Sequence, residues 1–79
     1  MTISIQDLQR EAAQYEPRHR NAFGRLISKF ESFVPRQQIA SEFGISPATV
    51  DRWISGRTAP APLARRAIVN RLAQRVLPT

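Results

Sequence analysis

Residues 36–55 read RQQIASEFGISPATVDRWIS, and the spacing of small, apolar and turn-forming residues there decides how the chain folds. Two short helices, about Arg36–Phe43 and Pro47–Ser55, are predicted on either side of Gly44-Ile45-Ser46. Ile39 and Phe43 are one helical turn apart and face inward on the first helix. Ala40 falls where the two helices meet at close range, and a larger side chain there would push them apart. Gly44 sits where the chain reverses, a place that commonly needs positive φ, which glycine adopts without steric cost. Ile45 plugs the corner from the turn. Ser46 caps the next helix through its hydroxyl, and Pro47 suits the first helical position. Val50 and Trp53 then face the core. Ala48, Thr49, Asp51, Arg52 and Ser55 are left on the outer side of the second helix: short or polar groups beside one long guanidinium. Gly56 supplies the C-terminal cap.

Outward from this segment the periodicity stays helical, and no alternating β-branched run predicts a strand. Ser4, with Asp7 three residues on, begins a first helix in a weaker relative of the capping box. Ile5, Leu8, Ala12 and Tyr15 lie on one side of it, and Pro17 ends it. A second helix is predicted from Pro17 or Arg18. Phe23, Leu26, Ile27 and Phe30 form its buried stripe, Phe33 or Val34 extends it, and Pro35 stops it. Gly24 costs that helix about 1 kcal/mol relative to alanine and marks a place where another helix can approach closely. After Pro60 a last helix, about Ala61–Val76, carries Leu63, Ala67, Ile68, Leu72 and Val76, with Pro78 ending it. Its arginines are interleaved around the cylinder. Five helices with short connections predict one all-α domain over residues 1–79, a small orthogonal bundle.

Composition narrows the chemistry. At 79 residues the chain holds one core, and it has no cysteine and a single histidine, so neither a disulfide nor a zinc site supports it. Lys plus Arg number 12 against 6 acids, and all the bases but Lys29 are arginine. The excess is uneven: residues 1–35 hold five bases and four acids (net +1), residues 36–79 seven bases and two acids (net +5). A basic half-domain favours polyanions, whereas the bland reading is a soluble arginine-rich surface. The chain opens on Met1 without a signal peptide or an apolar run of membrane-spanning length. It is therefore expected to be a complete soluble, cytoplasmic protein. No paired carboxylates, Cys/His pair, phosphate-binding glycine loop or metal cluster can be assembled, so no enzyme, cofactor or small-molecule substrate is expected. A membrane-surface role for residues 61–76 is disfavoured because their arginines are not segregated to one face.

The segment resembles the helix-turn-helix of the phage-repressor (Cro/CI-type) regulators. Ala40, Phe43, Gly44, Ile45, Val50 and Trp53 match that family's pattern, and TVDRWISGRTAP is similar to its TVSRW-x-x-GR-x-x-P form. The close match covers about Arg36–Pro60. The family often has glutamine at the positions of Arg36 and Pro47, so its base contacts are not carried across. The resemblance implies a λ repressor-like domain that lays the Pro47–Ser55 helix in the major groove of double-stranded DNA, as a transcriptional repressor of phage or mobile-element type. A homodimer on an inverted repeat is expected, because one motif covers only a few base pairs. The alternative is a helical interaction or adaptor domain whose motif serves packing only.

The candidate DNA-binding residues are Arg36, Gln37, Ser46, Pro47, Ala48, Thr49, Asp51, Arg52, Ser55 and Arg57. Arg52 is expected to read guanine bidentately, the alternatives being an ion pair with Asp51 or a phosphate contact. Ala48 and Thr49 either touch a thymine methyl or base, or merely give clearance. Asp51 either accepts from cytosine N4, excludes other sequences, or is solvated. Ser46 both caps the helix and offers its N-terminal amides to a phosphate. Arg57, Arg36 and Gln37 are expected on backbone phosphates, and the last helix's arginines on a solvated face, the alternative being further phosphate contacts. Glu16 and His19 are expected to form a surface pair. Trp53, by its spacing from Val50, belongs to the core. Trp53→Ala is therefore expected to cost about 3–5 kcal/mol and to unfold so small a domain. A wild-type melting curve for that variant would refute the assignment.

Overall fold

Local stereochemistry marks several of the helix ends. In the computed structural model, which describes residues 4–16 and 18–76, five helices follow in order: α1 Ile5–Ala13, α2 Arg20–Phe30, α3 Arg36–Phe43, α4 Pro47–Ser55 and α5 Pro62–Arg75. The Ser4 hydroxyl accepts from the Asp7 N–H at 3.1 Å and opens α1. Pro47 and Pro62 stand in the first turns of α4 and α5, where a missing N–H is harmless. Gly44 (φ 66°) and Gly56 (φ 81°) end α3 and α4 in the left-handed region. Each closes its helix with the same pair of bonds. Ile45 N–H donates to the Ala40 carbonyl (2.9 Å) and Gly44 N–H to that of Ser41 (3.3 Å); Arg57 N–H donates to Arg52 (3.0 Å) and Gly56 N–H to Trp53 (3.2 Å). These are Schellman caps, and a side chain at either glycine would be strained. No strand occurs among the described residues.

The core gathers the apolar stripes of all five helices. Leu8, Phe23, Ile27, Phe30, Ile39, Val50 and Leu72 are wholly buried, with Leu26, Val34, Ala40, Trp53, Ile68 and Val69 nearly so. The described residues occupy 29 × 25 × 24 Å. Helix α2 is the hub: it packs against α4, α1 and α5, while α3 rests on α4 and α1 on α5. Phe23 joins the aromatic side chains, its ring edge-on to Trp53 at 5.5 Å and tilted against Tyr15 at 6.2 Å. The Tyr15 hydroxyl has no hydrogen-bond partner among the described residues. Burial pushes its pKa up against the opposing pull of the Arg65 and Arg66 charges.

Several boundaries differ from the sequence reading. Helix α1 stops at Ala13, and Tyr15 is buried from the connecting segment, which returns its ring to α2. Helix α2 begins at Arg20, later than Pro17 or Arg18, with His19 at its cap. It ends at Phe30, and Val34 reaches the core through one further turn, its N–H donating to the Phe30 carbonyl at 2.9 Å. The expected helix-ending roles of Pro17 and Pro78 lie outside the described residues. In α5 the buried stripe is Ile68, Val69 and Leu72, continued by Val76 at its C-cap, whereas Leu63 and Ala67 are exposed. Leu63 lies in the first turn, five positions ahead of that stripe, and 86% of it faces outward. Glu16 and His19 share only a backbone bond, His19 N–H to the Glu16 carbonyl, while the Glu16 carboxylate faces Arg18 at 3.7 Å.

The close approach anticipated at Gly24 is present, and α4 is the helix that makes it. A Cβ on Gly24 would overlap the Trp53 carbonyl oxygen and lie 3.0 Å from that of Ile54. Both obstacles are backbone, so neither can rotate away. Alanine would gain about 1 kcal/mol of helix propensity, yet it would have to lift α4 off α2. Gly24→Ala is expected to lose about 1–3 kcal/mol net, read from urea unfolding. A variant as stable as wild type would show that the two helices can separate freely.

Candidate nucleic-acid interface

The Gly44–Ser46 turn sets which side of α4 is presented. Its left-handed glycine brings Ile39 and Ala40 of α3 together with Val50 and Trp53 of α4 in the core, with Phe43 and Ile45 half-buried beside them. Ser46 accepts from the Thr49 N–H at 3.2 Å, and the two hydroxyls are 3.1 Å apart. Thr49 is thus half-buried and part of the cap, more than a freely presented group. Pro47, Ala48, Asp51, Arg52 and Ser55 are exposed. The Ser55 hydroxyl donates back to the Arg52 carbonyl at 3.1 Å, which keeps it close to its own helix. Arg57 and Gln37 are exposed at the two ends of the motif.

Arg36 is held by protein groups. Its Nε and Nη2 donate to the two carboxylate oxygens of Glu31, at 2.5 and 3.2 Å, and its Nη1 donates to Asp51 Oδ1 at 3.2 Å. Glu31 precedes α3 and Asp51 is on α4, so one guanidinium spans the base of the two-helix unit. The hydrogen bond to Glu31 raises the Arg36 pKa above its usual range; burial opposes this, and the charges of Glu31 and Asp51 add to it. Asp51 therefore pairs with Arg36, not with Arg52 as one sequence alternative had it. Arg52 makes no ion pair among the described residues.

A second cluster ties α5 to α3. Arg71 Nε donates to Glu42 Oε1 at 2.5 Å, Arg75 Nη1 lies 3.6 Å from Glu42 Oε2, and Arg75 Nη2 donates to Gln38 Oε1 at 3.4 Å. Two arginines that the sequence assigned to a solvated face are thus engaged with α3, and both acids of residues 36–79 face arginine. Nothing in the sequence pointed to Glu31 or Glu42. Their partners lie five and 29 residues away, outside helical spacing, and Pro35 separates Glu31 from Arg36.

Elsewhere, a cleft of about 470 Å³ is lined by α1 and α2 and by the segment between them, with Glu11, Tyr15, His19, Arg25 and Lys29 on its wall. Its acids and bases offset one another, and the Lys29–Glu11 ion pair lies within it. Among the described residues no group of three His, Cys, Asp or Glu side chains is placed to hold a metal ion. Among the described residues no helix is long and apolar enough to cross a membrane. Comparison of the chain with protein families, curated proteins and solved structures finds no match.

Glu42 gives the fold an acid-sensitive contact. The Arg71 hydrogen bond holds its carboxyl below the ordinary value of 4.5; burial opposes this, and the charges of Arg71 and Arg75 reinforce it. A carboxyl with a lowered folded-state pKa stabilises the fold fully above its unfolded value and loses that contribution as pH falls through the folded one. Melting temperature measured from about pH 6 to about pH 2 is expected to fall less steeply below pH 4.5 in Glu42→Gln than in wild type. Identical acid limbs would show that the contact does not contribute.

Proposed function

We propose that the chain is a sequence-specific double-stranded DNA-binding regulator, a repressor of phage or mobile-element type. In this reading α3 and α4 form a λ repressor-like helix-turn-helix, and α4 enters the major groove. The observation that carries the proposal is the two-sidedness of α4. Val50 and Trp53 are buried, while Ala48, Asp51 and Arg52 stand exposed on a helix that follows a left-handed glycine turn. A groove-reading helix needs slim side chains near its start and a donor that reaches base edges; Ala48 and Arg52 supply these.

The mechanism is occupancy. Arg57 and Gln37, at the two ends of the motif, meet phosphates, and the first amides of α4 meet another. Ser46 has already satisfied the Thr49 N–H, and Pro47 has none, so the Ala48 N–H is the amide left for a phosphate oxygen. Phosphate contacts fix register, and Arg52 then reads a guanine through two parallel hydrogen bonds. Five bases in excess on residues 36–79 supply the attraction. A single α4 covers too few base pairs for useful selectivity, so the protein acts in the cytoplasm as a homodimer on an inverted repeat, with half-sites about one helical turn apart.

Retardation of duplex DNA in the presence of competitor, titrated with salt, tests this. If two subunits neutralise about eight phosphates, log K falls against log salt with a slope near −7. Binding that ignores salt would exclude the reading. Arg52→Ala is expected to lose about 1–3 kcal/mol of discrimination at one base pair; equal weakening on every sequence would make Arg52 a phosphate ligand.

A further inference from the structure

The Glu31–Arg36–Asp51 cluster has a geometry that phosphate binding does not account for. Glu31, the least exposed of the three at 22%, grips Arg36 through both carboxylate oxygens. Such a fork fixes the plane of the guanidinium. The third nitrogen, Nη1, then holds one oxygen of Asp51, a side chain 65% exposed. An ion pair that open contributes little to stability. Its consequence is direction. Oδ1 is tied back toward α3, and Oδ2 has no partner among the described residues. Asp51 shares the outer stripe of α4 with Ala48 and Ser55, one turn to either side.

The charge of the cluster opposes a phosphate. Two carboxylates face one guanidinium, leaving a local net charge of −1. For Arg36 to swing to a phosphate it would have to abandon the fork and leave Glu31, mostly covered, without its partner. An oriented carboxylate oxygen calls for a donor. In the major groove guanine presents only acceptors, thymine an acceptor and a methyl, and adenine a donor beside the N7 acceptor. Cytosine alone offers its N4 amino group with no acceptor alongside.

From this we infer that Asp51 is a specificity-determining acceptor for the N4 amino group of a cytosine, and that Arg36 is a positioning residue that aims it. The inference rests on the DNA-binding reading above and deepens it. It also moves Arg36 from the phosphate-contacting set to a role exercised through Asp51.

Selection of bound duplexes from a random pool, followed by competition between the selected site and its single-base variants, tests this on the full chain. Wild type, Asp51→Ala and Arg36→Lys are compared, each first checked for a normal melting curve. Lysine keeps the charge but cannot make the fork. Wild type is expected to favour cytosine at one position by roughly tenfold, and both variants to lose that preference there. Arg36→Lys should do so with an unchanged salt slope. Retention of the preference in either folded variant overturns the inference. So does its retention in folded Arg36→Gln together with a salt slope shallower by about one, the mark of a phosphate ligand. Should Arg36→Lys not fold, Asp51→Ala and Arg36→Gln decide the matter. A wild-type protein that binds no duplex removes the functional reading and this inference together, whereas selective binding with Asp51→Ala indistinguishable from wild type removes this inference alone.

Discussion

Helix α4 is seated on α2 main chain to main chain. At Gly24 the absence of a side chain lets the carbonyls of Trp53 and Ile54 come within contact distance of the α2 backbone, and the Phe23 ring meets Trp53 edge-on beside that point. The Trp53 carbonyl that limits the approach also accepts the Gly56 N–H that ends α4. One atom therefore takes part both in the depth at which the helix sits and in its termination. With no cysteine in its 79 residues and, among the described residues, no group placed to hold a metal ion, the chain depends on such close packing for a defined geometry. The outward set of side chains on α4 follows from this seat, because burying Val50 and Trp53 leaves Ala48, Asp51 and Arg52 on the far side.

Electrostatics complete what packing begins. Helix α3 packs chiefly on α4, with no comparable packing against α5, and the link between α3 and α5 is made by Arg71 and Arg75 on Glu42. Glu31 and Asp51 share Arg36 on another part of α3. Each of these acids thereby faces an arginine within the protein, although Glu31 and Asp51 share one and keep a local net charge of −1, and Arg52 keeps its charge outward. The basic excess of the second half is consequently concentrated at fewer positions than the sequence suggests.

What was legible in the sequence was what local sterics dictate. Glycine at a left-handed position, serine before proline and apolar residues one turn apart each impose a conformation with little help from distant residues, so both short helices, their caps and the buried Ile39, Val50 and Trp53 could be read directly. The end of α1 and the start of α2 could not, because the ring of Tyr15 is drawn to Phe23 across the gap between helices. The exposure of Leu63 depends on where α5 enters the bundle. Arg36 shows the limit most clearly. Its type and place at the start of the motif suggested a phosphate contact, and only the tertiary fold brings Glu31 and Asp51 to either side of its guanidinium. The carboxylate of Asp51, incongruous on a basic face, acquires a counterion by the same juxtaposition.

A seat made of backbone is indifferent to the identity of the side chains on the opposite side of the helix. Ala48, Asp51, Arg52 and Ser55 are exposed, and none of them is among the atoms that meet Gly24. Exchanging them leaves the seat at Gly24 in place, though a change at Asp51 also gives up its ion pair with Arg36, so the presented chemistry can diverge among descendants of one scaffold, or be randomised in a library, without repacking the interior. Gly24, by contrast, admits no replacement on those terms, and a library that varied it would mostly sample altered frames.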